Sequence, residues 1–272
     1  MTELSAAHDA AVTDRGRLAG SAYSSGRDLA ARQSLYQWQA PRYDLPGIVA
    51  EKLSSVRGHV VDVGCGNGKF IQRLRDDRSD LALLGLDIAP GILAGVPGPV
   101  AVADATRLPL ATGSVDAALA LHMLYHVPDI PQAVRELSRV LARDGLVIAS
   151  TNSDRDKVEL DELWQRAAGD VLGTGRGPAR ISLSARFSLE KAPAFLSEEF
   201  GRVETIELPG TITVHEPEPV IAHMASYRAW ADQHDVPFEA TIERARTILV
   251  EHLDRHGAFE ITCLGGVLVC RR

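Results

Sequence analysis

From Arg57 onward, short apolar runs alternate with segments whose apolar positions recur at helical spacing. "HVVDV" (59–63), "LALLGLD" (81–87), "PVAVAD" (99–104), "SVDAALAL" (114–121) and "GLVIAST" (145–151) are near-continuous Val, Leu, Ile and Ala. Runs of that kind predict strands buried on both faces. Between them lie "GKFIQRLRDD" with Phe70, Ile71 and Leu74 on one face, the short "PGILAGV", and the amphipathic "DIPQAVRELSRVLAR". Strand and helix in alternation predict an α/β, doubly wound, mostly parallel sheet.

After Thr151 the rhythm loosens. "VELDELWQRAAGDV" places Leu160, Leu163, Trp164, Ala167, Ala168 and Val171 at helical spacing. "GTGRGPARISLSAR" reads as a basic, flexible loop. "RFSLEKAPAFLSEEF" reads as helix, "RVETIEL" as strand, then "EPEPVIAHMASYRAW" and "PFEATIERARTILVEHLDRHG" as helices. "AFEITCLGGVLVCRR" predicts a final strand or hairpin about Gly265-Gly266. Ahead of the alternating region, residues 1–20 are small and polar and read as a mobile N-terminus. Residues 21–46 hold Tyr23, Tyr36, Trp38 and Tyr43 and read as helices ended by Pro41 and Pro46. The remaining 47–272 read as one domain, with helical or loop insertions at about 154–200 and 215–256.

Composition narrows the class. The 272 residues are 45% hydrophobic and 24% charged, as in an ordinary globular protein. A net charge of −7 disfavours a long nucleic acid as partner, because phosphate neutralisation needs a concentrated positive surface. The three cysteines, Cys65, Cys263 and Cys270, form neither a disulfide framework nor a zinc spacing. No run resembles a signal peptide or a membrane span, so a cytoplasmic, soluble protein with no membrane partner is expected.

The chemistry concentrates in "VVDVGCGNGKF", where a strand runs into Gly64, Gly66 and Gly68. Glycines at alternate positions permit a tight turn and a close backbone approach. The helix beginning near Gly68 turns free N–H groups and its positive dipole end toward the same place. The spacing fits neither a dinucleotide site, because Lys69 stands three after Gly66, nor a phosphate loop, because Phe70 follows Lys69. Asp62 would repel a pyrophosphate but favours a cationic ligand. Asp87 ends the second strand, where a carboxylate accepts ribose hydroxyls. Asp104 ends the third, within reach of an adenine amino group. Each acid alone is a cap or turn residue; three at successive strand ends describe a nucleoside site.

"DVGCGNGKF", "GLDIAPGIL", "ADATRLPLATGSVDAALALHMLYHVPD" and "ELSRVLARDGLVIAST" resemble, in order and spacing, the motifs of class I S-adenosylmethionine-dependent methyltransferases, over roughly residues 57–152. The resemblance implies a seven-stranded Rossmann-like sheet with an antiparallel last strand. It also implies N-terminal and inserted helices forming a cap, as in the small-molecule branch. By the same resemblance Asp62, Gly64, Cys65, Gly66 and Gly68 surround the methionine part of S-adenosyl-L-methionine, and of the product S-adenosyl-L-homocysteine. Asp87 and Ile88 meet the ribose, Asp104 and Ala105 the adenine, and Leu121 and His122 lie near the sulfonium. "ARDG" stands where the family commonly has "KPGG" or "RPGG".

Methyl transfer is an in-line displacement, for which orientation in a dry pocket supplies much of the rate. A base is needed only if the accepting atom must lose a proton. His122 and His126, on one face if "LHMLYHVPD" is helical, are the candidates, beside a packing role for each. The same pair lacks a third metal ligand, so no metal is expected. Tyr23, Tyr36, Trp38 and Trp164 either line an acceptor pocket or anchor the cap. Arg176, Arg180 and Arg186 either meet an anionic acceptor or form a solvated loop. The expected function is methyl transfer to a small-molecule acceptor, such as a secondary metabolite. An RNA methyltransferase, a non-catalytic cofactor-binding module and, more remotely, a nicotinamide-dependent oxidoreductase are the alternatives.

Overall fold

The computed structural model describes residues 3–233 and 236–272. Its centre is one eight-stranded sheet: β1 (Gln39–Ala40), β2 (Gly58–Val63), β3 (Leu81–Asp87), β4 (Val100–Val102), β5 (Val115–Leu121), β6 (Leu141–Asn152), β7 (Arg202–Val214) and β8 (Phe259–Arg271). The spatial order is β1-β7-β8-β6-β5-β2-β3-β4. Strands β2 to β6 pair in parallel, and β8 enters antiparallel between β6 and β7. This is the expected doubly wound sheet with its antiparallel last strand, extended by the two-residue β1 at the edge of β7.

The strands carry the apolar runs for the reason the sequence suggested. Val60, Val61, Ala117, Ala118, Leu119, Val147 and Ile148 are fully or almost fully buried. The outward faces of the sheet are covered by helices Lys69–Asp77 on one side and Ile130–Val140 on the other, whose apolar stripes enter two separate cores.

Strands β7 and β8 run further than the parallel sheet. Strand β6 pairs with β8 from Arg271 back to Gly265, whereas β7 continues along β8 to Phe259. The overhanging ribbon carries a third core of Ile212, Val214, Ile261 and Cys263 beneath helices Val158–Leu172, Glu218–Ala225 and Phe238–His256. The segment "AFEITCLGGVLVCRR" is therefore one continuous strand rather than a hairpin. Gly266 is needed where it stands, because a Cβ there would lie 2.7 Å from Leu189 and 2.9 Å from the Ile206 carbonyl.

Two segments depart from the sequence reading. Residues 3–20, read as a mobile tail, form helix Glu3–Thr13 and further helical turns that bury Ala11, Val12 and Leu18. Isolated alanine-rich polar sequence gives no hint of this, since the ordering comes from packing on the cap. "RFSLEKAPAFLSEEF", read as one helix, is a 3₁₀ turn at Leu183–Phe187 and a short helix at Ala192–Leu196. Pro193 can open the second helix but not sit inside a longer one. Among the described residues no helix is long and apolar enough to cross a membrane.

Candidate active site

At the carboxyl ends of β2, β3 and β5, a cavity of about 410 Å³ opens between the sheet and the cap. Strand β2 ends in the glycine turn, and Gly64, Gly66 and Gly68 all adopt positive φ of 72°, 54° and 74°. A side chain would be strained at each, and a Cβ at Gly64 would lie 2.6 Å from Met123. Met123, rather than a ligand, thus fills the space beside Gly64. Gly64, Cys65 and Gly66 line the cavity, while Asp62 and Gly68 stand just behind it.

The carboxylates differ in their surroundings. Asp87 accepts the Gly66 N–H and the Ala89 N–H, each at 2.9 Å, which ties the second strand end to the glycine turn. Burial raises its pKa, against the lowering by those amides. Asp62 is 2% exposed, and neither of its carboxylate oxygens has a hydrogen-bond partner. Burial first, and the neighbouring Asp87 charge second, push its pKa up to about 8. A buried acid without a donor is costly, so its orphaned oxygens point to a missing polar partner. Asp104 is already engaged. It accepts the Thr106 N–H at 2.9 Å and hydroxyl at 2.8 Å, and pairs with Arg15 from the N-terminal segment. Burial would raise its pKa, but the Thr106 and Arg15 donors together leave it lowered.

The two histidines do not share a helix. His122 follows β5 at φ 54°, in the left-handed region, and its N–H donates to the Ser150 carbonyl. His126 closes a 3₁₀ turn, Leu124–His126. Its Nδ1 lies 3.0 Å from the Val12 carbonyl and its Nε2 lies 2.8 Å from the Tyr23 hydroxyl. Nδ1 therefore carries the proton, and Nε2 accepts from Tyr23. Burial is the main cause that lowers both imidazoles to about 4, so both are neutral at pH 7. His126 is thereby a clamp between the N-terminal helix and Tyr23, with no nitrogen left for a ligand.

Of the aromatic residues, Tyr23 and Tyr36 line the cavity, as do Asp87, Ile88, Asp104, Ala105, Leu121 and His122. Trp38 and Trp164 do not. They belong to the third core, where Trp164 is 2% exposed and packs 5.7 Å from the Phe238 ring. Helical spacing alone could not tell a core-facing tryptophan from a pocket one.

Among the loop arginines, exposed Arg176 folds back on Gln165. Arg186 donates to the carbonyls of Tyr125, Val127 and Pro128, and so braces the turn after β5. Only Arg180 reaches the cavity, as a buried side chain rather than a solvated one. Sequence reasoning missed Arg32, Lys157, His223 and Tyr227, which also line it. Lys157, 4% exposed, has φ 61°, pairs with Asp156 and donates to the Tyr36 hydroxyl at 2.8 Å. An unusual backbone angle carries no signature in the sequence.

Residues 61–149 match the model of a methyltransferase domain family. That stretch is similar to a methyltransferase domain. That domain comprises β2 to β6 and the glycine turn, with the acids at its strand ends. A malonyl-[acyl-carrier protein] O-methyltransferase from Hahella chejuensis is 31% identical over 151 residues, 47% of this chain and 54% of the relative. One from Coxiella burnetii is 34% identical over 92 residues, 34% of this chain and 33% of the relative. The chain thus spans about half or less of the curated relatives it matches. A solved structure described as a methyltransferase of an antibiotic biosynthesis pathway in Anabaena variabilis aligns with a TM-score of 0.63 at 18% identity. That alignment covers 84% of this chain and 96% of the other.

The methyltransferase domain implies S-adenosylmethionine, and the residues present fit it. The unpartnered Asp62 oxygens, just behind the turn, leave acceptor capacity for a hydrogen-bond donor, and the open turn at Gly66 admits a backbone contact. Asp87 holds its carboxylate at the adjoining strand end.

Proposed function

We propose that this protein transfers a methyl group from S-adenosylmethionine to a small-molecule acceptor. The observation that carries the reading is the buried, donor-less carboxylate of Asp62 behind a glycine turn, with Asp87 bonded to that same turn. In this reading Asp62, Gly64, Cys65, Gly66 and Gly68 form the methionine end of the site. Asp87 and Ile88 form the ribose end, Asp104 and Ala105 the adenine end, and Leu121 and His122 lie beside the reacting centre. The bound cofactor supplies an electrophilic methyl on a sulfonium.

The chain's own contribution is orientation and exclusion of water. Tyr23, held by His126, and Tyr36, held by Lys157, present fixed rings to the cavity. Neither His122 nor His126, lowered to about 4, is tuned as a base for neutral pH. An acceptor atom that needs no deprotonation suits such a site. The curated relatives named above are, by name, O-methyltransferases of malonyl-[acyl-carrier protein], which agrees with an oxygen acceptor. The overall charge of −7 weighs against RNA as acceptor, and the chain's three buried free cysteines suit the cytoplasm.

Calorimetric titration with S-adenosylhomocysteine tests the reading. Micromolar binding to the folded protein is expected, and absence of binding at millimolar ligand would overturn it.

A further inference from the structure

Two guanidinium groups in the cavity wall are sunk below the surface and incompletely bonded. Arg32 is 8% exposed. Its Nη1 donates to the Ser226 carbonyl at 2.9 Å, while Nη2 is buried without a hydrogen-bond partner. No carboxylate pairs with it among the described residues. Arg180, its side chain 9% exposed, spends Nε and Nη2 on Asp161, and its Nη1 is likewise buried and unpartnered. The two flank one ring: Arg32 Cζ lies 5.6 Å and Arg180 Cζ 4.9 Å from the Tyr227 centroid. The Tyr23 and Tyr227 hydroxyls approach the guanidinium groups, but neither meets hydrogen-bond geometry with the two orphaned nitrogens. His223, 3% exposed, adds an imidazole that makes no side-chain hydrogen bond, although the ring approaches the Arg32 backbone. Lys157, the remaining buried cation of the wall, is already satisfied by Asp156.

A buried cation without a counter-ion is expensive, and a guanidinium with a free edge matches a planar carboxylate. Arg32, Arg180 and His223 come from three separate stretches of chain, yet all three line one cavity. Their location separates them from the cofactor end. On helix Arg27–Ser34, Leu29 packs on Gly66 and Gln33 accepts from Asn67, whereas Arg32 turns to Tyr23, Ser226, Tyr227 and Trp230. We infer that Arg32, Arg180 and His223 form a carboxylate-binding subsite, and that the methyl acceptor is a small organic acid anchored there. This deepens the methyltransferase reading and rests on it for the word acceptor.

Benzoate and hexanoate, each compared with its neutral amide, are suitable probes. Their affinities are measured by calorimetry with and without saturating S-adenosylhomocysteine. The wild type is expected to bind the acids about tenfold or more tightly than the amides. Arg32→Gln and Arg180→Gln should each remove most of that preference and keep the affinity for S-adenosylhomocysteine. Equal binding of acid and amide by the wild type overturns the subsite, as does a preference that survives both substitutions. If Arg32→Gln instead weakens S-adenosylhomocysteine about tenfold, the guanidinium serves the cofactor's own carboxylate and the acceptor assignment is overturned. Should Arg32→Gln not fold, the wild-type comparison and Arg180→Gln decide. A wild type that prefers acids but binds no S-adenosylhomocysteine would keep the subsite and lose the methyltransferase reading.

Discussion

Asp62 and Asp87 stand on neighbouring strands, yet only one of them has donors. Asp87 holds two backbone amides, so its oxygens are fixed before any ligand arrives. Asp87→Asn should weaken S-adenosylhomocysteine by about tenfold, since a charge-assisted hydrogen bond becomes a neutral one. A titration that leaves the affinity unchanged would move the ribose elsewhere. Asp62 offers a test by pH. Its folded pKa of about 8 lies above the ordinary 3.8, so folding favours the protonated form. The stability tied to that proton is complete below about pH 4 and is lost as pH rises through about 8. Thermal melts of Asp62→Asn without ligand should therefore match the wild type near pH 4 and exceed its Tm by several degrees at pH 8. The acids and glycines were legible in the sequence because they sit in one contiguous, spaced motif. Arg32, Arg180 and His223 were not, because a loose hydrogen-bond donor is a property of the fold and not of any local pattern.

At the scale of elements, the parallel strands and their covering helices follow from local periodicity, and the structure has them nearly where the apolar runs lie. The N-terminal helix does not, because its order depends on distant partners. The Ala11 carbonyl accepts from the Trp230 indole at 3.2 Å, and the Val12 carbonyl holds His126. Arg17 donates to the Ala229 carbonyl at 2.6 Å and pairs with Asp232. Arg15 and Leu18 complete the cavity wall. Arg17→Ala should loosen this strap and speed release of S-adenosylhomocysteine several-fold, with a smaller change in the association rate. Stopped-flow displacement measures both, and an unchanged release rate would show that the strap does not limit escape. The histidines illustrate the same lesson. An i, i+4 spacing promised a shared helical face, but the chain turns at His122 through a left-handed angle that the sequence pattern does not announce.

For the whole molecule, the long β7–β8 ribbon is both the edge of the central sheet and the floor of the cap. No break in hydrogen bonding separates the two regions. All three tryptophans, Trp38, Trp164 and Trp230, lie in the N-terminal or cap segments, so indole fluorescence reports the cap while far-ultraviolet dichroism reports the whole. Coincident denaturant transitions by the two probes are expected; a fluorescence transition at lower urea would make the cap a separate folding unit. The chamber opposite the glycine turn is assembled from noncontiguous stretches: Tyr23 to Tyr36, Asp156 and Lys157, Arg180 to Leu183, and His223 to Tyr227. Under the proposed function, retailoring what the chamber accepts therefore cannot be done by grafting one loop from a cousin. The donor's piece would bring half a lock, and the tumblers left behind would still be cut for the old key.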